Sequence, residues 1–188
     1  YDYGNVTVSA NDTKVFTVNN VGAVTATAMA EVSLSAPFTF VGGSYPGTTG
    51  TCAGTLANGS SCTLNVQFAP AGTGLAASTI GMSYNNGAVT VVSDRPVQGT
   101  GVATANLTIS DTDPYDYGTL PVGGTQNRVF TITNAGGSPA TSVSGTGLAV
   151  PYSFAGGSFP GGGTCTATIN AGANCTVIVE YAPLGVSG

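Results

Sequence analysis

The chain of 188 residues contains an internal repeat, and this repeat limits it to folds that two similar halves can form. Residues 1–4 (Tyr-Asp-Tyr-Gly) return 114 positions later as residues 115–118. The turn at 42–47 (Gly-Gly-Ser-Tyr-Pro-Gly) returns at 156–161 with Phe in place of Tyr. Many matches at one spacing are the signature of a duplicated structural unit. We therefore predict two copies of one domain.

Each copy has the sequence pattern of an all-β domain. Residues 62–68 (Cys-Thr-Leu-Asn-Val-Gln-Phe) alternate between apolar and polar side chains, and residues 14–19 and 128–133 alternate in the same way. A period of two is typical of a strand that buries one face. Clusters of Gly, Ser, Pro and Asn lie between these segments and predict tight turns. Short strands at this spacing predict two tandem β-sandwiches.

The two copies, which we place at 1–103 and 104–188, are not equally complete. Copy one continues past Pro70 through two further strand-like segments, whereas copy two ends five residues after the equivalent Pro183. We therefore predict that the second sandwich lacks its last strands. Conversely, residues 106–110 (Asn-Leu-Thr-Ile-Ser) precede copy two, and nothing equivalent precedes copy one.

Two explanations of the missing strands stay open. The chain can be a piece of a longer array of repeats, or the incomplete sandwich can accept strands from neighbouring subunits. A simple exchange between subunits is disfavoured, because the piece missing from copy two is much longer than the piece missing from copy one. In either case an open sandwich exposes strand edges and apolar faces that something has to cover.

The composition excludes several classes of function. The chain has no histidine, only three basic and eight acidic residues, and a formal net charge of −5 at pH 7. Without histidine there is no Ser-His-Asp triad and no Cys-His dyad, so we expect no enzymatic activity. Three basic residues cannot neutralise a run of nucleic-acid phosphates, so nucleic acid is not an expected partner. No apolar run reaches the roughly 18–20 residues of a membrane-spanning helix.

Four cysteines form two pairs at one position of the repeat, Cys52 with Cys62 and Cys165 with Cys175. The even count and the duplication predict one disulfide within each copy, which would attach a Gly/Thr loop to the strand that follows. A zinc site of four cysteines is disfavoured, because the pairs lie in different copies and lack the short spacing of zinc ligands. Persistent disulfides predict an extracellular or cell-surface location.

Three of the eight acidic residues, Asp111, Asp113 and Asp116, crowd the junction between the copies. Carboxylate oxygens are ligands that Ca²⁺ prefers, so the cluster is a candidate calcium site that would stiffen an array of repeats. The alternative is that these residues form turns. The lack of a Gly-bearing EF-hand loop and of any Glu in the cluster favours the turns. We therefore expect no cofactor, with calcium as the one candidate ion.

The order of these motifs resembles a known family. Each copy opens with Tyr-Asp-Tyr-Gly followed by a Val-Phe-Thr segment, and copy one closes with Phe-Ala-Pro and later Gly-Thr-Gly at 99–101. This pattern is similar to that of bacterial Hydin-like (ASH-type) immunoglobulin-like domains, also described as choice-of-anchor D repeats. The resemblance covers nearly the whole chain. It implies seven-stranded immunoglobulin-like sandwiches in tandem arrays on secreted or surface proteins, and it implies no active site.

Three functions from different classes fit the sequence. The first is a structural module of a secreted or cell-surface fibre, filament or stalk that associates with neighbouring repeats or with copies of itself. Uncharged Thr, Ser and Asn faces favour it, because charged side chains are the usual protection against edge-to-edge association. The second is an adhesive module that binds a surface ligand or glycan through loops such as 42–51 and 156–164. The third is an accessory domain of a larger extracellular enzyme.

Overall fold

A computed structural model of the chain describes residues 1–185, and this part of the molecule consists almost entirely of strands and turns. It divides into two compact units, Tyr1–Ala103 and a second that begins at Thr104. The all-β class predicted from the alternation of apolar and polar residues is confirmed. The one helical segment within residues 1–185 is a single 3₁₀ turn at Ala155–Gly157.

The first unit is a two-sheet sandwich. Its strands are β1 (Asp2–Thr7), β2 (Asp12–Asn19), β3 (Ala26–Glu31), β4 (Phe38–Phe40), β5 (Thr55–Leu56), β6 (Ser61–Phe68), β7 (Gly74–Asn85) and β8 (Thr90–Val102). One sheet has the strand order β1-β8-β7-β3-β5, and the other has the order β2-β6-β4. Neighbouring strands are antiparallel except β1, which runs parallel to β8.

The core of the first unit lies between these sheets. Alternate residues of β6 point into it, and Leu64, Val66 and Phe68 are at most 1% exposed. The long hairpin of β7 and β8 contributes Ile80 and Val97 to the same core. Burial of each such side chain contributes about 1.5–3 kcal/mol, so the hairpin stabilises the unit as well as covering it.

The second unit contains fewer and shorter strands. They are β9 (Leu107–Ile109), β10 (Gln126–Asn134), β11 (Ala140–Thr141), β12 (Tyr152–Phe154), β13 (Thr168–Ile169) and β14 (Asn174–Tyr181). The main sheet has the order β12-β14-β10-β9, and β11 pairs with β13 in a small second sheet. All of these pairs are antiparallel.

The offset of the repeat relates the strands of the two units. By position, β10, β12 and β14 correspond to β2, β4 and β6, while β11 and β13 correspond to β3 and β5. Within the described residues no strand follows β14, so the β7–β8 hairpin has no counterpart in this part of the second unit. Conversely, β9 adds to the edge of β10, and the described part of the first unit has no strand in that position beside β2.

Candidate functional site

Each unit contains one disulfide at the same place in the repeat. Cys52 is joined to Cys62 and Cys165 to Cys175, with Cα atoms 4.8 Å apart in both pairs. The second cysteine of each pair lies in β6 or β14, so the bond fixes the preceding loop to a central strand. In the chain-entropy model a loop this short contributes roughly 2–3 kcal/mol to stability. All four side chains are buried, which suits a structural role rather than a reactive one.

Two of the three carboxylates at the junction, those of Asp111 and Asp116, have separate partners. Asp111 forms an ion pair with Arg128 in which Oδ1 and Nη2 lie 2.7 Å apart, and hydrogen bonding to this guanidinium lowers the pKa of Asp111 below its ordinary value of 3.8. Asp116 accepts a hydrogen bond from the backbone N–H of Gly118 at 2.7 Å, as in an Asx turn. In residues 1–185, neither these two nor Asp113 belong to any group of three His, Cys, Asp or Glu side chains that could hold a metal ion. The calcium interpretation therefore gains no support from the structure.

The glycine-rich loops at 42–51 and 156–164 are held against neighbouring strands. In the first loop the backbone N–H of Asn65 donates to the carbonyl of Pro46 at 2.9 Å. A Cβ added at Gly47 would collide with the carbonyl oxygen of Asn65, so the loop backbone passes too close to β6 for any larger residue. The second loop has the same two features in relation to β14. The proposed ligand-binding loops are thus anchored by backbone contacts rather than projecting freely.

An aromatic triad marks the inner face of the first unit. Tyr3, Phe38 and Phe68 have ring centroids 4.8–5.8 Å apart, and both Phe side chains are at most 1% exposed. Strand β8 covers the triad so closely that a Cβ added at Gly99 would lie 2.6 Å from a ring carbon of Phe68. The Tyr3 hydroxyl donates to the carbonyl of Val66 at 3.0 Å, so its polar tip is satisfied.

The second unit has three tyrosines at the positions of this triad. No strand of the described residues covers them. Tyr117, Tyr152 and Tyr181 have ring centroids 5.2–5.7 Å apart, and the Tyr117 hydroxyl donates to the carbonyl of Val179 at 3.2 Å. Tyr152 is 39% exposed, whereas its counterpart Phe38 is 1% exposed. We call the surface formed by these three tyrosines the open face. It is apolar over its rings and polar at its hydroxyls.

A cleft of about 290 Å³ lies in the first unit at the end of β2. Val18, Asn20 and Gly22 line one side of it, and Met29 and Tyr84 line another. Its volume lies at the lower limit of small-molecule pockets, which are about 300–1,000 Å³. A cleft of this size accommodates a side chain or a short stretch of peptide.

Sequence reasoning missed two features of these surfaces. The first is the ion pair of Asp111 with Arg128, although the signal was present in the acidic cluster and in the basic residue shared by both copies at one repeat position. The second is the cleft beside β2. Its only sequence signal is the segment 106–110, which lies directly before copy two.

Comparison with known protein families identifies the type of domain. Residues 1–94, half of the chain, match the family model described as HYDIN/CFA65/VesB-like, Ig-like domain. The chain belongs to this family. The resemblance to Hydin-like immunoglobulin-like domains that the motifs indicated is confirmed, while the finer assignment to choice-of-anchor D repeats stays a prediction.

Two solved structures also match the chain at low sequence identity. A protein of unknown function from Porphyromonas gingivalis W83 is 16% identical with a TM-score of 0.42, and the match covers 95% of this chain and 78% of that one. The secreted serine protease VesC from Vibrio cholerae is 14% identical with a TM-score of 0.38, and the match covers 100% of this chain and 46% of that one. This chain thus spans less than half the length of that protease. No curated protein matches the sequence.

Proposed function

We propose that this chain is a non-enzymatic structural module of a secreted or cell-surface protein, built from two copies of one repeat at 1–103 and 104–188. In this proposal the module associates with neighbouring repeats or with copies of itself through sheet surfaces. The observation that carries the proposal is the open face, where Tyr152 is 39% exposed and its counterpart Phe38 in the first unit is 1% exposed. Covering such a face removes apolar area from water, which favours association.

The surface of the second unit supports association over solvation. Several large apolar side chains are exposed there, including Val122 at 69%, Leu148 at 41% and Val150 at 78%. Only 6% of the residues in the whole chain are charged, three basic and eight acidic, so few charges oppose the approach of another sheet. Charged side chains normally protect sheet edges from pairing, and their scarcity leaves these surfaces able to associate.

The two disulfides support a location outside the cytosol. Both disulfides are buried within their units, and buried disulfides persist in oxidising compartments rather than in the reducing cytosol. None of the helical structure in residues 1–185 is long or apolar enough to cross a membrane. Membership in an immunoglobulin-like domain family supports a role in contacts rather than in catalysis, since catalysis requires a site and not merely a fold.

The proposal is tested by measuring the mass of the full chain by light scattering over a wide range of protein concentrations. Association that grows with concentration is expected. Tyr152→Lys places a charge on the open face, and we expect it to weaken association at least tenfold. The matched control is Val92→Lys, at a position of β8 that is 53% exposed, and it should associate like the unmodified chain.

A chain that stays monomeric at every concentration contradicts the self-associating function. If such monomers bind glycans on an array, the adhesive function is favoured instead. Equal weakening by Tyr152→Lys and by Val92→Lys would show that the open face is not the associating surface.

A further inference from the structure

The outer edge of β10 in the second unit is covered by a strand that comes from the segment before it. Strand β9 runs antiparallel to β10, with Leu107 opposite Asn134 and Ile109 opposite Ile132. The backbone N–H of Ala135 donates to the carbonyl of Asn106 at 2.8 Å and continues the ladder past the end of β10. β10 is therefore paired on both sides.

Asn134 fixes the start of residues 104–111, which we call the covering segment. Its side chain is fully buried, and its Nδ2 donates to the carbonyls of Ser138 at 2.9 Å and Ile169 at 3.0 Å. Its Oδ1 accepts two hydrogen bonds, from the N–H of Asn106 at 3.1 Å and from the N–H of Gly136 at 3.0 Å. The side-chain amide of Asn134 thus makes four hydrogen bonds, two as donor and two as acceptor. The bond from the N–H of Asn106 is the one that holds the covering segment.

Gly136 makes room for the segment as it passes. A Cβ added there would collide with the backbone of residues 104–106. Ala105, in the middle of that stretch, packs against the core of the second unit. Gly136 has no side chain and Ala105 has a small one, and together they allow the two backbones to approach closely.

The far end of the covering segment is held by charge. The N–H of Ser110 donates to the carbonyl of Thr131 at 2.9 Å. Asp111 follows at once and forms the ion pair with Arg128, whose guanidinium lies 4.8 Å from the centre of the Tyr115 ring. Residues 104–111 are therefore bound along β10 by backbone pairing, a small-residue contact and a terminal carboxylate.

The first unit has the same receiving residues, and within residues 1–185 no segment pairs with them along the outer edge of β2. β2 is the edge strand of its sheet and pairs only with β6 within the described residues. Asn20, the counterpart of Asn134, donates to the carbonyls of Val24 at 2.9 Å and Leu56 at 2.8 Å, at the matching positions of the repeat. Its Oδ1 accepts from the N–H of Gly22 at 3.0 Å, and the second bond that Asn134 accepts has no counterpart in the described contacts of Asn20.

The space for the segment is present as well. Gly22 corresponds to Gly136, and a Cβ added at Gly22 would meet only the side-chain oxygen of Asn20, at 3.2 Å. The cleft of about 290 Å³ lies at Val18, Asn20 and Gly22, where the second unit holds Ala105 and its neighbours. The cleft of the first unit therefore occupies the position that peptide backbone fills in the second.

The first unit also has a basic residue at the position that binds the charged end of the covering segment. Lys14 corresponds to Arg128 and lies 5.2 Å from the centre of the Tyr1 ring, as Arg128 does over Tyr115. Within residues 1–185 the one salt bridge is that of Arg128, so Lys14 has no carboxylate partner there.

From these matches we infer that the outer edge of β2 is a binding site for an extended peptide strand of the kind formed by residues 104–111. The strand runs antiparallel to β2 and places a small residue in the cleft. It donates a backbone N–H to Oδ1 of Asn20 and brings a carboxylate to Lys14. This is β-strand addition to an exposed edge, with main-chain hydrogen bonds for affinity and the cleft and the lysine for specificity. The site lies in the first unit and does not depend on the open face.

The test adds a second copy of residues 104–114 (Thr-Ala-Asn-Leu-Thr-Ile-Ser-Asp-Thr-Asp-Pro) directly before Tyr1 of the full chain, because Tyr1 corresponds to Tyr115. Covalent attachment gives the strand a high effective concentration. Hydrogen exchange of residues 12–21 is compared in the extended and the unmodified chains. We expect exchange over β2 to slow at least tenfold in the extended chain.

Two variants of the extended chain test the details. Gly22→Ala places a methyl group where the strand backbone has to pass, and it should abolish the added protection. The matched control is Gly72→Ala, where a Cβ meets nothing within 4 Å, and it should keep the protection. Proline in place of the added asparagine removes the backbone N–H that donates to Asn20, and it should also abolish the added protection. Because this change lies in the added segment and not in the first unit, it tests the site even if Gly22→Ala disturbs the fold.

Equal exchange of β2 in the extended and unmodified chains overturns the inference. So does protection that survives both Gly22→Ala and the proline substitution, because the strand would then not lie in the cleft. These outcomes are independent of the light-scattering test of the open face, so the failure of one proposal is distinguishable from the failure of the other.

Discussion

The two units share their local contacts and differ in the strands that complete them. Each has a disulfide between a loop and a central strand, and each has a tyrosine hydroxyl that donates to the carbonyl of that strand. The first unit adds a hairpin over its aromatic triad, and the second adds a strand along the edge of β10. The two repeats thus share their short-range features, while the strands that complete each sandwich differ within residues 1–185.

The largest expected effect tests the β7–β8 hairpin of the first unit. Ile80 of β7 is 3% exposed, so Ile80→Ala leaves a cavity under the hairpin. We expect it to lower the free energy of unfolding of the first unit by about 2–5 kcal/mol. Urea unfolding followed by hydrogen exchange of β6 measures this loss. Val92→Ala, at an exposed position of β8, should change stability by less than about 0.5 kcal/mol. Equal losses from both would mean that the hairpin is not part of the core.

Removal of a disulfide compares the two units under the same chemical change. Cys165→Ala with Cys175→Ala should cost the second unit roughly 2–3 kcal/mol, and Cys52→Ala with Cys62→Ala should cost the first unit a similar amount. The second unit has the smaller core and should therefore unfold at the lower temperature, as followed by hydrogen exchange of β10 and β14. A second unit that outlasts the first after these substitutions would contradict the comparison.

Substitutions at matching aromatic positions of the two units test whether the open face is exposed to solvent. Phe68→Tyr places a hydroxyl at a position that is 0% exposed, and an unsatisfied buried hydroxyl costs about 1–3 kcal/mol. Tyr181→Phe removes a hydroxyl from a half-exposed position and should change stability by less than about 0.5 kcal/mol. Denaturant midpoints of the two variants give the comparison. A loss at Tyr181 as large as that at Phe68 would indicate a covered face.

The smallest expected effect concerns the ion pair of Asp111 with Arg128, which has no counterpart among the described contacts of the first unit. Because Arg128 lowers the pKa of Asp111 below its ordinary value of 3.8, the ion pair stabilises the folded chain at pH values above 3.8. Its contribution is lost as the pH falls through the lower folded pKa. Asp111→Asn should lower the melting temperature slightly at neutral pH and not at all well below pH 3.8. A difference of the same size at both values would exclude the ion pair as its cause.

The sequence predicted the features that depend on neighbouring residues. Alternation in 62–68 indicated a half-buried strand, and its apolar residues are buried in the structure. The repeat offset also predicted that the strands after Pro70 in copy one have no counterpart in copy two, and within residues 1–185 no strand follows β14. The partner of Asp111 was not predicted, because Arg128 lies 17 residues away and meets it only when β9 pairs with β10. The cleft was missed for the same reason, since it appears only when β2, β3 and β7 come together.

The central claim is that a hairpin covers the aromatic face of the first unit while the equivalent face of the second unit is open. Hydrogen exchange of the full chain at low protein concentration tests it most directly, by comparing β6 with β14. The account predicts slower exchange in β6, whose residues lie under the hairpin, than at the matching positions of β14. Equal protection of β6 and β14 in the monomeric chain would contradict it.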